Sequence, residues 1–316
     1  MAATSGGGPR GESPRLAGVL APVLTPFGGD LAPDPRRLVR LCRWLLDHGC
    51  AALAPFGTTS EANSLSVEER EALLDALLEA GIPPARLLPG TGCCALTDSV
   101  RLTAHAVRRG CAGVLMLPPF YYKGVSDDGL FRGFAEVVER VGDPRLRVYL
   151  YHIPPVAQVG IGPALVERLL RAYPRAIAGM KDSSGDFANT RTMIERFARD
   201  GFDVFVGSER FLLENLRAGG VGCITATGNV NAAAIDRLWA GWRGAEAENL
   251  QQEVNAVRAA VEQGPVIASL KAVVADVTGD DGWATVRPPL VPLAADRRGP
   301  LLATLRGLGW SMPGLR

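Results

Sequence analysis

Ile177–Asp186 reads IAGMKDSSGD, an apolar run that ends in one lysine and breaks into a turn of small polar residues. The segment after it, FANTRTMIERFARDG (Phe187–Gly201), spaces its apolar residues for one face of a helix. Run, turn and helix together read as a βα unit. The same unit recurs on both sides. Upstream lie AGVLAPVLTPF, CAALAPFGTTSE, ARLLPGTG, AGVLMLPPFYY and LRVYLYHIPP, and downstream FDVFVGSE and VGCITATGN. Each precedes a helical pattern, which gives about eight βα units. That count and order predict a (β/α)8 TIM barrel over residues 16–244, with short apolar strands of the kind a parallel sheet buries on both faces.

The helices carry their own punctuation. Leu38, Leu41, Leu45 and Leu46 share one face, and a helix is predicted from about Pro163 to Ala172 with proline in its first turn. Ser66 and Glu69 are spaced as a capping box, with Gly81 as the stop. After Gly244 helical patterns follow one another without strands, so residues 245–316 read as a helical C-terminal extension. Residues 1–15, rich in Gly, Ser and Arg and lacking an apolar core, read as a disordered tail and not a signal peptide. An open doubly wound sheet is excluded by the missing G-x-G-x-x-G and the unbroken βα count.

Bulk properties narrow the function. A net charge of +1 with dispersed basic residues gives no nucleic-acid surface, and no apolar stretch is long enough for a membrane span. Six cysteines without a C-x-x-C pair, and no histidines at metal spacing, read as buried free thiols of a cytoplasmic protein. No metal and no cofactor is expected.

The lysine is the outlier. Of 34 Lys plus Arg only Lys123, Lys181 and Lys271 are lysines. A barrel places its chemistry at the C-terminal ends of its strands. Those ends carry Thr25, Thr58, Thr59, Thr91, Tyr121, Tyr122, Tyr151, His152, Lys181, Asp182, Ser208 and Thr225. A desolvated lysine there yields neutral amine that can add to a ketone, which an arginine cannot do. The competing reading is a lysine snorkelling to solvent. Gly57, Thr58 and Thr59 form a corner of hydroxyls and amides suited to a carboxylate, or simply a capping turn. Tyr151 stands where a phenol could move protons beside Lys181, or where it packs.

Taken together, GTTSEANSLSVEER, PPFYYKGVSDDGLFRGF, LYHIPP, GMKDSSGD, VFVGSE and GGVGCITATGNV resemble the family of dihydrodipicolinate synthase and N-acetylneuraminate lyase, the pyruvate-type class I aldolases. The resemblance runs in order over residues 16–244 and implies the same barrel with a helical extension. It implies Lys181 as the Schiff-base lysine, Tyr151 as the general acid/base, and Thr58 linking Tyr151 to a Tyr122 supplied by a neighbouring subunit. Thr59 and the adjacent backbone, including Gly57, would hold the keto-acid carboxylate, with Gly207 and Ile224 lining the pyruvate pocket. The family is commonly a homotetramer of tight dimers, so a tetramer or dimer is expected, with pyruvate and an aldehyde as small-molecule partners.

Departures from the family pattern bear on substrate. Dihydrodipicolinate synthases read Y-N-V-P-x-R-T-G where this chain has YHIPPVAQVG, so Val156 replaces the carboxylate-gripping arginine and Gln158 the glycine. GTTGE is GTTSE, which adds the Ser60 side chain near the pocket. Cys94 stands where lysine-inhibited members have asparagine, which argues against lysine feedback. These differences favour an aldolase for a 2-keto-3-deoxy or 4-hydroxy-2-keto acid. The alternatives are condensation of pyruvate with aspartate semialdehyde, dehydration of a sugar acid, and a non-catalytic ligand-binding paralogue.

Overall fold

Seven short strands run in parallel: β1 (Gly18–Ala21), β2 (Ala52–Leu53), β3 (Val114–Met116), β4 (Val148–His152), β5 (Ile177–Asp182), β6 (Asp203–Val206) and β7 (Gly222–Ile224). They form one sheet in the order β2-β1-β7-β6-β5-β4-β3. This is a computed structural model, and it describes residues 15–315. The two edges of the sheet meet through segment 87–90, which bridges β2 at Leu53↔Leu87 and β3 at Gly90↔Leu115. This segment is the eighth stave. Pro89 lacks an N–H, so the ladder is reduced to single bridges, yet Leu88 N donates to Leu53 O at 2.8 Å and Leu115 N to Pro89 O at 2.9 Å. A Cβ on Gly90 would sit 2.0 Å from the Phe56 carbonyl oxygen, so only glycine lets this stave approach β2 so closely.

Closure divides the apolar side chains into two cores. Alternate strand residues point inward and fill the barrel with Leu20, Ala52, Leu115, Tyr149, Phe205 and Ile224. The opposite set joins the helices in a larger outer core, to which Leu41, Leu77, Leu150, Leu165, Val206 and Leu238 contribute. Each strand is followed by a helix. Pro35–Asp47 is capped by Asp34 and buries Leu38, Leu41 and Leu45, with Leu46 packing at the edge of the same core. Ser66 caps Val67–Glu79 with the reciprocal Glu69 bond, and Gly81 follows in the left-handed region. The helix Pro163–Ala172 has the predicted bounds.

The C-terminal extension consists of helices Ala247–Val261, Val266–Thr278 and Ala295–Gly307. Val254, Leu270, Val274 and Leu305 place it in the same core as the barrel's outer layer. The tail expected over residues 1–15 lies outside the described residues except for Arg15, whose guanidinium pairs with Asp203 at 2.5 Å on the floor of the barrel. Tyr149 donates to the same carboxylate at 3.2 Å. All six cysteines are free, as predicted, but the expectation that they are buried holds only for Cys42, Cys50 and Cys223. Cys94 is exposed because it opens the loop ahead of helix Leu96–Arg108. Among the described residues no helix is long and apolar enough to cross a membrane.

Candidate active site

Lys181 lies on β5 directly opposite Tyr151 on β4, and His152 lies opposite Asp182. In a parallel pair such partners face the same side, so the first pair points into the barrel and the second toward the helices. Lys181 is 3% exposed. Its Nζ sits 4.3 Å from the centroid of the Tyr151 ring. Among the described residues no carboxylate lies within ion-pair distance of it. The neighbouring Asp182 is committed elsewhere: its carboxylate accepts from Ser184 N, Asn189 Nδ2 and Thr190 Oγ1, each at 2.8 Å. Those bonds fix the SSGD turn as it leaves the strand.

The Tyr151 hydroxyl meets Thr58 Oγ1 at 3.2 Å. Thr58 belongs to a loop bracketed by two left-handed residues, Phe56 (φ 63°) and Glu61 (φ 56°). Neither residue type adopts that conformation readily, so the surroundings must impose it. Phe56 is packed into the outer core. Glu61 is buried, pairs with the Lys271 ammonium, and accepts from the Arg287 amide at 2.9 Å. Within the loop, the amides of Ser60, Glu61 and Ala62 bond back to the carbonyls of Gly57 and Thr58. The amides of Thr58 and Thr59 make no hydrogen bond among the described residues. Two free N–H groups beside a threonine hydroxyl form a small anion cradle.

These groups open onto a cavity of about 720 Å3 lined at its base by Thr58, Thr59, Tyr151, Lys181, Ser183 and Gly207. A Cβ on Gly207 would meet Ser183 Oγ at 1.9 Å, so glycine is required for the two strand ends to close side by side. Val156 lines the mouth. The structure therefore gathers Lys181, Tyr151, Thr58, Thr59, Gly207 and Val156. It does not bring the other candidates to the cavity wall. Gly57 forms the turn beneath Thr58, and Ile224 packs inside the barrel against the inner core. Ser60 is fully buried and does not line the cavity, and its carbonyl accepts from Thr25 Oγ1 at 2.7 Å. Gln158 is an exposed left-handed helix cap. Tyr122 is 73% exposed and packs edge-on against Tyr121 at 5.3 Å.

Most of the other polar strand ends serve the architecture. Thr103 Oγ1 donates to Thr91 Oγ1 at 3.0 Å, and Thr225 and Thr227 donate to the buried Glu209 carboxylate. His152 Nδ1 accepts from the Ile161 amide at 2.9 Å, and burial pushes its pKa below the ordinary value despite the nearby Asp182. That bond ties down the loop carrying Val156. Sequence reasoning missed the far wall, where Arg258, Glu262, Ile267, Leu290 and Val291 come from the extension. The one signal was VRPPLVPL, where apolar residues sit between prolines in a loop.

Comparison with known proteins gives a consistent picture. The sequence pattern described as the dihydrodipicolinate synthetase family matches residues 15–307. An uncharacterized DapA-like lyase from Chloroflexus aurantiacus is 32% identical over 279 residues, 88% of this chain and 92% of the relative. The crystal structure of dihydrodipicolinate synthase from Agrobacterium tumefaciens superposes with a TM-score of 0.85 at 30% identity, covering 93% of this chain and 99% of that one. YagE, a prophage protein of the dihydrodipicolinic acid synthase family from E. coli K12 solved in complex with pyruvate, gives a TM-score of 0.85 at 28% identity. It covers 93% of this chain and 99% of that one.

Proposed function

The chain belongs to the dihydrodipicolinate synthetase family, and from that premise we propose that it is a pyruvate-dependent class I lyase that makes or cleaves a 2-keto-3-deoxy or 4-hydroxy-2-keto acid through a Schiff base on Lys181. The observation that carries this reading is the register pair of Lys181 and Tyr151 at the base of one cavity. The Lys181 amine adds to C2 of pyruvate and water leaves, giving an imine. Transfer of a C3 proton to the imine nitrogen, relayed by the Tyr151 hydroxyl, gives the enamine, whose C3 attacks the aldehyde carbon. The Tyr151 hydroxyl donates a proton to the aldehyde oxygen and is oriented by Thr58. The free amides of Thr58 and Thr59 hold the pyruvate carboxylate, so the keto carbon is presented to the amine.

Tyr122 completes the relay from a second subunit, so the working unit is a dimer or a homotetramer built from two such dimers. Its exposure, together with that of Tyr121 and Val125, supports a face that a second copy covers. A cytoplasmic location fits the six free cysteines. Condensation with aspartate semialdehyde is the second reading, favoured by the name of the Agrobacterium protein, a dihydrodipicolinate synthase.

The test is borohydride reduction in the presence of pyruvate, read by intact mass and peptide mapping. The expected result is a pyruvate-derived adduct on Lys181 in the wild type and none in Lys181→Arg. Unmodified wild-type protein would remove the Schiff-base reading.

A further inference from the structure

We propose that the aldehyde this site accepts carries an apolar, uncharged body, such as an aryl or branched alkyl group. The proposal rests on the pyruvate-aldolase reading and concerns only the second substrate.

The cavity changes character from base to mouth. Its base presents Thr58, Thr59, Lys181 and Ser183, which suit a keto-acid head. Its mouth is built from two separate stretches of chain. Pro155 and Val156 come from the short helix Pro154–Ala157 after β4, and Ile267, Leu290 and Val291 come from the extension. Val156 is 62% exposed, Leu290 38% and Val291 69%, so three large apolar side chains ring the opening while in contact with water. Covering such side chains with an apolar group stabilises a complex by about 1.5–3 kcal/mol for each one fully buried. A partner protein could also cover them. The continuity of the rim with the cavity that holds Lys181 favours a substrate, because the same volume of about 720 Å3 contains both.

The charges on the wall point the same way. Arg210 pairs with Glu262 at 2.5 Å. Arg258 pairs with Glu209 at 2.7 Å and with Glu262 at 2.8 Å. Both arginines that line the cavity are thus neutralised by the protein itself. Asp186 adds a further carboxylate at the wall. A second carboxylate on the aldehyde would be desolvated without a free cation and beside like charges. Of the wall hydroxyls a polyol would meet, Ser184 Oγ already donates to the Asp186 carbonyl and Ser208 Oγ accepts from Arg210 N.

The reaction balances without any further reagent. The enamine pair of pyruvate forms the new C–C bond, and the aldehyde π pair moves to oxygen, which takes the Tyr151 proton; the tyrosinate recovers a proton from the iminium nitrogen, leaving the imine. Water then hydrolyses the imine, releasing a 4-hydroxy-2-keto acid with an apolar substituent at C4 and restoring the Lys181 amine. The reverse sequence cleaves the same acid.

The test compares kcat/KM for benzaldehyde, D-glyceraldehyde and aspartate semialdehyde with saturating pyruvate, alongside borohydride trapping with pyruvate alone. Benzaldehyde should exceed each of the other two by about tenfold or more. Leu290→Asp and Val156→Arg should each lower the benzaldehyde value by about tenfold or more while leaving pyruvate trapping intact, and Val156→Arg should raise the value for aspartate semialdehyde. Preference for glyceraldehyde or aspartate semialdehyde, no turnover of benzaldehyde by protein that traps pyruvate, or indifference of benzaldehyde to both substitutions would each overturn the proposal. Loss of the pyruvate adduct itself would instead count against the Schiff-base reading.

Discussion

Two lysines are buried in this protein, and they are buried differently. Lys181 is 3% exposed at the base of a cavity, facing an aromatic ring and no carboxylate. Lys271, in helix Val266–Thr278, is fully enclosed, paired with Glu61 and donating to the Thr285 carbonyl at 2.7 Å. Both ammonium groups lie over an aromatic ring, since Lys271 Nζ sits 4.4 Å from the centroid of Phe27. The difference lies in what else is near. At Lys271 the chain supplies a counter-charge and fills the space, so the group is structural. At Lys181 it supplies hydroxyls, amides and a void, so the group is free to react. The two are also linked, because Lys271 holds Glu61, and Glu61 ends the loop that presents Thr58 and Thr59.

The same substitution at the two sites should therefore give opposite results. Lys181→Met should abolish turnover to the assay floor and leave the unfolding midpoint unchanged or raised, since no partner is orphaned. A retained activity would break the comparison at once. Tyr151→Phe should lower kcat by about 10²–10⁴-fold at unchanged fold, the range expected for removing a general acid/base. Steady-state kinetics with pyruvate and the best aldehyde would show it.

Lys271→Met should destabilise the protein by about 3–5 kcal/mol, because Glu61 is left charged and buried. The double variant with Glu61→Gln should recover most of that loss in urea unfolding, and Lys271→Met should still trap pyruvate. The pH dependence sharpens the point. Burial pushes the Lys271 pKa down to about 8, against the pull of Glu61. Its folded pKa is thus below its unfolded one of about 10.4. Between those values the unfolded state binds more protons, so this group's contribution to stability rises with pH and is least below about 8. Urea midpoints at pH 7.5 and 9.5 should show the rise in wild type, relative to Lys271→Met. The smallest effect belongs to Thr58→Val, which removes one neutral hydrogen bond worth about 1 kcal/mol and should lower kcat about fivefold. No change would mean that Tyr151 is oriented by its packing alone.

The barrel was legible in the sequence because its signals are local. Apolar runs followed by amphipathic helices announce each βα unit, and Ser66 with Glu69, or Pro163 at a first turn, mark helix ends through chemistry only a few residues long. The base of the site was legible for the same reason, since the strand-end position of Lys181 and Tyr151 follows from the count of units. Ser60 and Gln158 were harder. A position next to a site residue in sequence does not tell whether the side chain lines the cavity, and neither of these does.

Sequence by itself thus determined the repeat, the eight staves and the face on which a reactive amine would lie. Only the tertiary structure decided which lysine is paired and which is open. It also decided that both arginines of the wall are neutralised and that Ile267, Leu290 and Val291 form one side of the mouth. Those facts depend on residues far apart in the chain being brought together, such as Glu61 with Lys271 in an ion pair, and Val156 with Leu290 in the lining of one cavity. Local composition constrains a residue's conformation, whereas the charge and polarity it meets are set by whatever the fold brings opposite it.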